Sequence, residues 1–251
     1  RSLFQYPRLH ECAAEIKHLL SGNSSSPVTD NRILPCNDEI SSLPLSHGQQ
    51  SLWFLWQLDP FSTAYHVQYA VRLSGVLDRP AFQASFQDLI ERHESLRTIF
   101  RVNAAGSVEQ VIQPVSPLAI TDIDLLDLAV SQREQNVAEE VRRMTSLPFD
   151  LTRDPLLRVA LIRVTENENI MIIIMHHIIS DGVSMQILLN EFAAFYQAHV
   201  QGKAADLDHL PIQYSDYTFW QKNWLEAGEK DRQLIYWQNY LGNEHPLLML
   251  P

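Results

Sequence analysis

The run MIIIMHHIISDG, residues 171–182, ends an isoleucine-rich stretch with two adjacent histidines, His176 and His177, and then an Asp-Gly pair, Asp181 and Gly182. Imidazole beside carboxylate suggests three chemistries: metal ligation, activation of a protein nucleophile, or acid–base work on a substrate. Successive side chains of a strand point to opposite faces, so His176 and His177 cannot ligate one metal from a strand. The sequence has no HExxH and no CxxC, and no metal site is expected. It also has no GxSxG elbow, and neither Cys12 nor Cys36 lies in a recognisable nucleophile context. What remains for a histidine at a strand end is a general base, or a hydrogen-bond partner, toward a nucleophile that the substrate brings. The competing reading is an imidazole that only satisfies hydrogen bonds in a core. Asp181 and Gly182 serve the turn out of the strand, and a carboxylate buried in that corner needs a cationic partner.

The surrounding elements must hold that strand end in place. Ile170 to Met175 are apolar at every position, which predicts a central strand covered on both faces. LLRVALIRV before it reads as a second strand, joined through the polar turn TENEN (165–169). VSMQILLNEFAAFYQAHVQG after it reads as a long helix stopped by Gly202. Upstream, LSHGQQSLWFLWQL has Ser46 and Gln49 at capping-box spacing ahead of an apolar helix with Trp53. YHVQYAVRLSG alternates, placing Val67, Tyr69, Val71 and Leu73 on one face. DRPAFQASFQDLIERHESL predicts a helix capped by Asp78, with Pro80 in its first turn and Phe82, Phe86, Leu89 or Ile90 and His93 on one stripe. LRTIFRV reads as a strand, and SQREQNVAEEVRRMTSL as a charged amphipathic helix carrying Val137, Val141 and Met144. YSDYTFWQKNWLEAGEKDRQLIYWQNYLG reads as two aromatic-rich helices that serve core and interdomain packing. The pattern is α/β, a mixed sheet backed by helices.

The chain has 251 residues, 45% of them hydrophobic and 20% charged, which suits a globular protein. With 19 Lys and Arg against 30 Asp and Glu, the formal net charge is -11, which argues against a nucleic-acid partner. No apolar run approaches the roughly 18 to 20 residues that span a bilayer, so a cytoplasmic chain without a membrane partner is expected. Residues 1–21 predict an amphipathic helix and 22–43 a linker rich in Ser, Asn and Pro; the chain closes on the apolar HPLLMLP.

Four ordered stretches resemble the motifs of the condensation domains of nonribosomal peptide synthetases: LSHGQQSLWFL (45–55), RHESLRTIF (92–100), MHHIISDGVSM (175–185) and YSDYTFW (214–220). YWQNYLG and the closing LP resemble the bridge out of that family's first lobe, and the likeness covers about residues 44–251. The resemblance implies the N-terminal lobe of a chloramphenicol-acetyltransferase-like pair, with the active site in a tunnel between lobes and the C-terminal lobe missing here. It implies amide formation by attack of an acceptor amine on a donor thioester. Both substrates would ride on 4'-phosphopantetheine arms of an upstream donor and a downstream acceptor carrier domain, with an adenylation domain adjoining. The attachment Ser is not in this chain.

Residue by residue, the resemblance makes His177 the catalytic histidine, as base or as positioning partner for the amine. His176 would face the lobe interior, Asp181 would be structural through an ion pair with Arg97, and Gly182 would let backbone approach the pantetheine end. LFQYPRLHECAAEI resembles the last helix of a carrier domain. Val183 stands where the family more often has Trp, as in the epimerising relatives, but Met185 and the opening motif differ from theirs; the cyclising relatives replace the first His by Asp. IISDG leans toward an L-configured or polyketide donor. Two rival readings are an HxxxD acyltransferase using a coenzyme A donor, and an inactive domain that only docks carriers.

Overall fold

The computed structural model describes residues 32–36 and 43–242. The helix expected over 1–21, with Cys12, lies outside them, as do the closing tail and most of the expected linker. The described elements begin with β1 (Leu43–Pro44), α1 (His47–Leu58), β2 (His66–Ser74) and α2 (Arg79–Arg92). A 3-10 turn (Glu94–Arg97) leads into β3 (Thr98–Val102), β4 (Val108–Ile112), β5 (Ile120–Asp124) and α3 (Val130–Thr145). The central hairpin is β6 (Leu157–Thr165) and β7 (Glu168–His176), followed by α4 (Gly182–Gln201). A helical arm closes the described chain: α5 (Tyr214–Trp224), a π turn (Leu225–Glu229) and α6 (Lys230–Leu241).

The main sheet has the order β2-β7-β6-β5. β7 is antiparallel to both neighbours, whereas β5 runs parallel to β6, so the sheet is mixed. With both edges paired and residues 170 to 176 all buried, β7 is the central strand that its unbroken apolar run requires. The turn before it is shorter than TENEN: Thr165 already pairs with Glu168, and both strands extend into the polar letters. β2 is an outer strand. Val67, Val71 and Leu73 pack on the core, while Tyr69 on the same face stays 41% exposed.

The helix signals hold to the residue. Ser46 and Gln49 close a capping box at α1, Asp78 caps α2 with Pro80 in its first turn, and Gly202 ends α4 in the left-handed conformation at φ 63°. α2 and α4 pack together through Phe82, Phe86 and Phe192, with ring centroids 4.8 to 5.3 Å apart. Both Leu89 and Ile90 of α2 are buried.

A second sheet, β1-β4-β3, was not anticipated. Its β4 carries Gln110, buried in a polar seam. Gln110 Oε1 accepts from Gln49 Nε2 at 3.1 Å, and its own Nε2 donates to the Pro44 carbonyl at 2.7 Å. The seam therefore fastens α1 to the small sheet. In the arm, Tyr236, Trp237 and Tyr240 of α6 are exposed and no residue of α6 is buried, so α6 adds nothing to the core.

Candidate active site

Strand alternation separates the two histidines. His176 lies on the side of β7 that faces Phe149 and His66, its cross-strand partner on β2. It is 3% exposed. Its Nδ1 accepts the Ile178 N–H at 3.1 Å, so the neutral ring carries its proton on Nε2. Burial, then the neighbouring His66 and His177, lowers its pKa to about 4. Burial likewise lowers the pKa of His66, whose Nδ1 sits 3.2 Å from the Thr145 carbonyl. His176 is a neutral interior group.

His177 turns the other way and is exposed. Its N–H donates to the Tyr65 carbonyl at 2.8 Å, which extends the β2–β7 ladder by one bond and fixes the backbone that carries the imidazole. The side chain lines a cavity of about 330 Å³ between α1, the 3-10 turn, the strand end and α4. The Ile178 carbonyl beyond it accepts from Gln49 Nε2 at 3.2 Å, so the α1 motif also braces the floor of this cavity. Ser180 Oγ donates back to the His176 carbonyl at 3.3 Å and tightens the turn. An imidazole on a backbone held this way can accept a proton from, or hydrogen-bond to, a nucleophile entering the cavity.

Asp181 departs from expectation in two respects. It is exposed rather than buried, and its partner is not Arg97. The carboxylate caps α4: Oδ1 accepts from the Ser184 N–H at 2.7 Å and from Ser184 Oγ at 2.6 Å, and these bonds hold its pKa below the usual carboxylate value. A helix N-terminus supplies the positive end that a cation would otherwise provide. The spacing Asp181 to Ser184 ahead of an apolar helix could have signalled this cap. Arg97 instead donates to the Gln113 carbonyl at 2.8 Å and lies 3.7 Å from Glu94, with its Nε buried and unpartnered among the described residues. No ion pair joins Arg97 to Asp181 among the described residues. Gly182 has ordinary φ, and a Cβ there would meet nothing within 4 Å, so its backbone conformation does not demand glycine.

Other motif residues fall into place around the cavity. His93, placed by periodicity on the stripe of α2, lines the cavity instead, and its Nε2 is 2.6 Å from Glu191 Oε2. Glu191 is also held by Arg92 Nε at 3.1 Å, joining α2 to α4. Tyr214 lines the opposite wall, its hydroxyl 3.0 Å from Ser46 Oγ, and burial raises its pKa. Both residues stand inside the quoted motifs, but only the tertiary fold brings them to His177. Asp216 is structural: its carboxylate accepts from the Gln213 N–H at 2.7 Å and from the Cys36 N–H at 2.6 Å. Burial and that carboxylate push the Cys36 thiol up to about 11, which fits the reading that it is no nucleophile. Among the described residues no cluster of His, Cys, Asp or Glu could hold a metal ion. No described helix is long and apolar enough to cross a membrane.

An α/β lobe with an imidazole at its central strand end defines the class, and the sequence comparisons agree. The Condensation domain family matches residues 39–251, and the chain belongs to that family. Two linear gramicidin synthase subunits of Brevibacillus parabrevis are similar to it, one 41% identical over 254 residues and another 38% identical over 251 residues. Those matches cover all of this chain but only 5% and 3% of the relatives. Chondramide synthase cmdD of Chondromyces crocatus is 39% identical over 205 residues, 82% of this chain and 5% of that protein.

Among solved structures, the X-domain in complex with OxyB from teicoplanin biosynthesis matches with a TM-score of 0.75 and 28% identity, covering 86% of this chain and 47% of that one. The starter condensation domain of rhizomide synthetase RzmA matches in fold with a TM-score of 0.75 and 21% identity, covering 82% and 49%. The chain thus spans a few per cent of the synthetases and about half of each solved chain. The expected α/β lobe of chloramphenicol-acetyltransferase-like architecture is the observed fold.

Proposed function

We propose that this chain is the N-terminal lobe of a condensation domain in a nonribosomal peptide synthetase or a hybrid with polyketide modules. It forms an amide between a carrier-bound acyl or peptidyl thioester and a carrier-bound aminoacyl group. The observation that carries this reading is the opposite placement of the two adjacent histidines, which puts His177, and not His176, at the cavity. His177 accepts the amine's proton, or holds the amine by a hydrogen bond, as nitrogen attacks the thioester carbonyl; the pantetheine thiol leaves and takes up the proton. Asp181 holds the start of α4, and the open space over Gly182 leaves room for a pantetheine arm. Tethering both substrates raises their effective concentration and supplies much of the rate, so a single imidazole suffices.

A C-terminal lobe closes the tunnel, residues 1–21 belong to the end of an upstream carrier domain, and 22–43 link it to the lobe. No cofactor binds the lobe itself; the phosphopantetheine arrives with the carriers. The relatives, each a synthetase many times longer than this chain, support these partners, and an adenylation domain adjoining the module follows from the same likeness. The X-domain matched above was solved together with OxyB, which favours a second reading in which the domain serves docking.

The test is acyl transfer from donor to acceptor carrier, read by intact mass spectrometry on the full-length protein, wild type against His177→Ala. A loss of at least about 100-fold supports the assignment. Absence of transfer in the wild type with any loaded pair supports docking, and undiminished transfer in the variant removes His177 from the chemistry.

A further inference from the structure

The cavity at His177 is graded, and the grading bears on what enters it. Its deep wall is made of Leu96, Met175, Ile178 and Leu188, between 1% and 7% exposed. Its polar groups are exposed or engaged: Asp181 is exposed and Ser184 half-buried, while buried Gln49 and Ser180 donate to the Ile178 and His176 carbonyls. The charged groups near the wall are already engaged, Glu191 with His93 and Arg92, and Asp181 with Ser184. A charged side chain reaching the deep wall would lose its water and find no partner there, whereas an apolar one would lose nothing. At about 330 Å³ the cavity is at the small end of ligand pockets, enough for one side chain beside a thioester.

We propose that this cavity selects the substrate: it seats the side chain of one of the two tethered residues, and that side chain is apolar, aliphatic or aromatic. This rests on the amide-forming reading above. The substrate's polar end, thioester or amine, stays at the mouth beside His177, while its side chain points to Leu96 and Leu188. Ile187, 45% exposed, forms the outer part of the same wall and tunes selection without supporting the core.

The experiment uses the full-length protein with its carriers loaded in turn with leucyl, alanyl, aspartyl and lysyl groups, first varying the donor and then the acceptor. In one of the two positions, leucyl is expected to outcompete aspartyl and lysyl by at least about 100-fold. It should exceed alanyl by about 10-fold, the usual scale for the loss of methylenes from an apolar pocket. Ile187→Asp should narrow the leucyl to lysyl ratio by about 10-fold while its unfolding curve stays that of the wild type. Equal transfer across the panel in both positions, or an unchanged ratio in Ile187→Asp, overturns the proposal and leaves the amide-forming reading intact. No transfer with any pair overturns both.

Discussion

His176 and His177 are neighbours in the chain, yet one face of β7 differs from the other as a core differs from a cavity wall. On the His176 side, Phe149 and His66 enclose the ring, and Arg158 lies over the Phe149 face at 3.8 Å. On the His177 side, a turn, a helix cap and a cavity meet. The residue type is the same, so the environment alone decides the role. The inward histidine is kept neutral by burial and serves packing; the outward one lines the cavity.

The comparison breaks most severely at its packing side. Phe149→Ala removes a ring that is 2% exposed and touches both His66 and His176. It should cost about 3 to 5 kcal/mol in urea unfolding. A cost under about 1 kcal/mol would mean that the box around His176 is loose. Acid sharpens the contrast. With His176 near 4 when folded and 6.5 when unfolded, the unfolded chain binds the extra proton between those values. Stability is therefore intact above pH 6.5 and falls as pH drops toward 4, by about 3 kcal/mol from this group. His66, lowered in the same direction, adds to the fall. Denaturant titrations at about pH 7, 5.5 and 4.5 check this, and His176→Phe should flatten the slope. A smaller effect is expected at the turn: Asp181→Ala removes the cap on Ser184 and should cost about 1 kcal/mol, with Asp181→Asn recovering most of it. If Asp181 were tied to a buried cation instead, the loss would be several-fold larger.

Much of this frame was legible in the chain. An unbroken run from Ile170 to Met175 announces a strand with no solvent face, and the strand's period of two parts His176 from His177. Caps at Ser46, Asp78 and Gly202 were equally plain, because capping is local chemistry. What escaped depends on distant residues. β1, β4 and β5 are two to five residues long and mix polar with apolar positions, so no periodicity marks them. Tyr69 follows the alternation of β2 but stays exposed, since exposure is set by what packs above it. The partner of Arg97 comes from the stretch after β4, and the meeting of His93 and Tyr214 with His177 requires three separate elements to converge. The cap at Asp181 was written in the sequence and was obscured by the expectation of an ion pair.

The most direct measurement sets the two histidines against each other, recording unfolding free energy and carrier-to-carrier transfer for His176→Ala and His177→Ala side by side. A crossed result is expected. His177→Ala keeps its stability within about 0.5 kcal/mol, as exposed sites do, and loses transfer by at least about 100-fold. His176→Ala loses about 2 to 4 kcal/mol of stability, as buried rings do. A His177→Ala protein that still transfers, or that proves the less stable of the two, would contradict the division of labour between the two faces of β7.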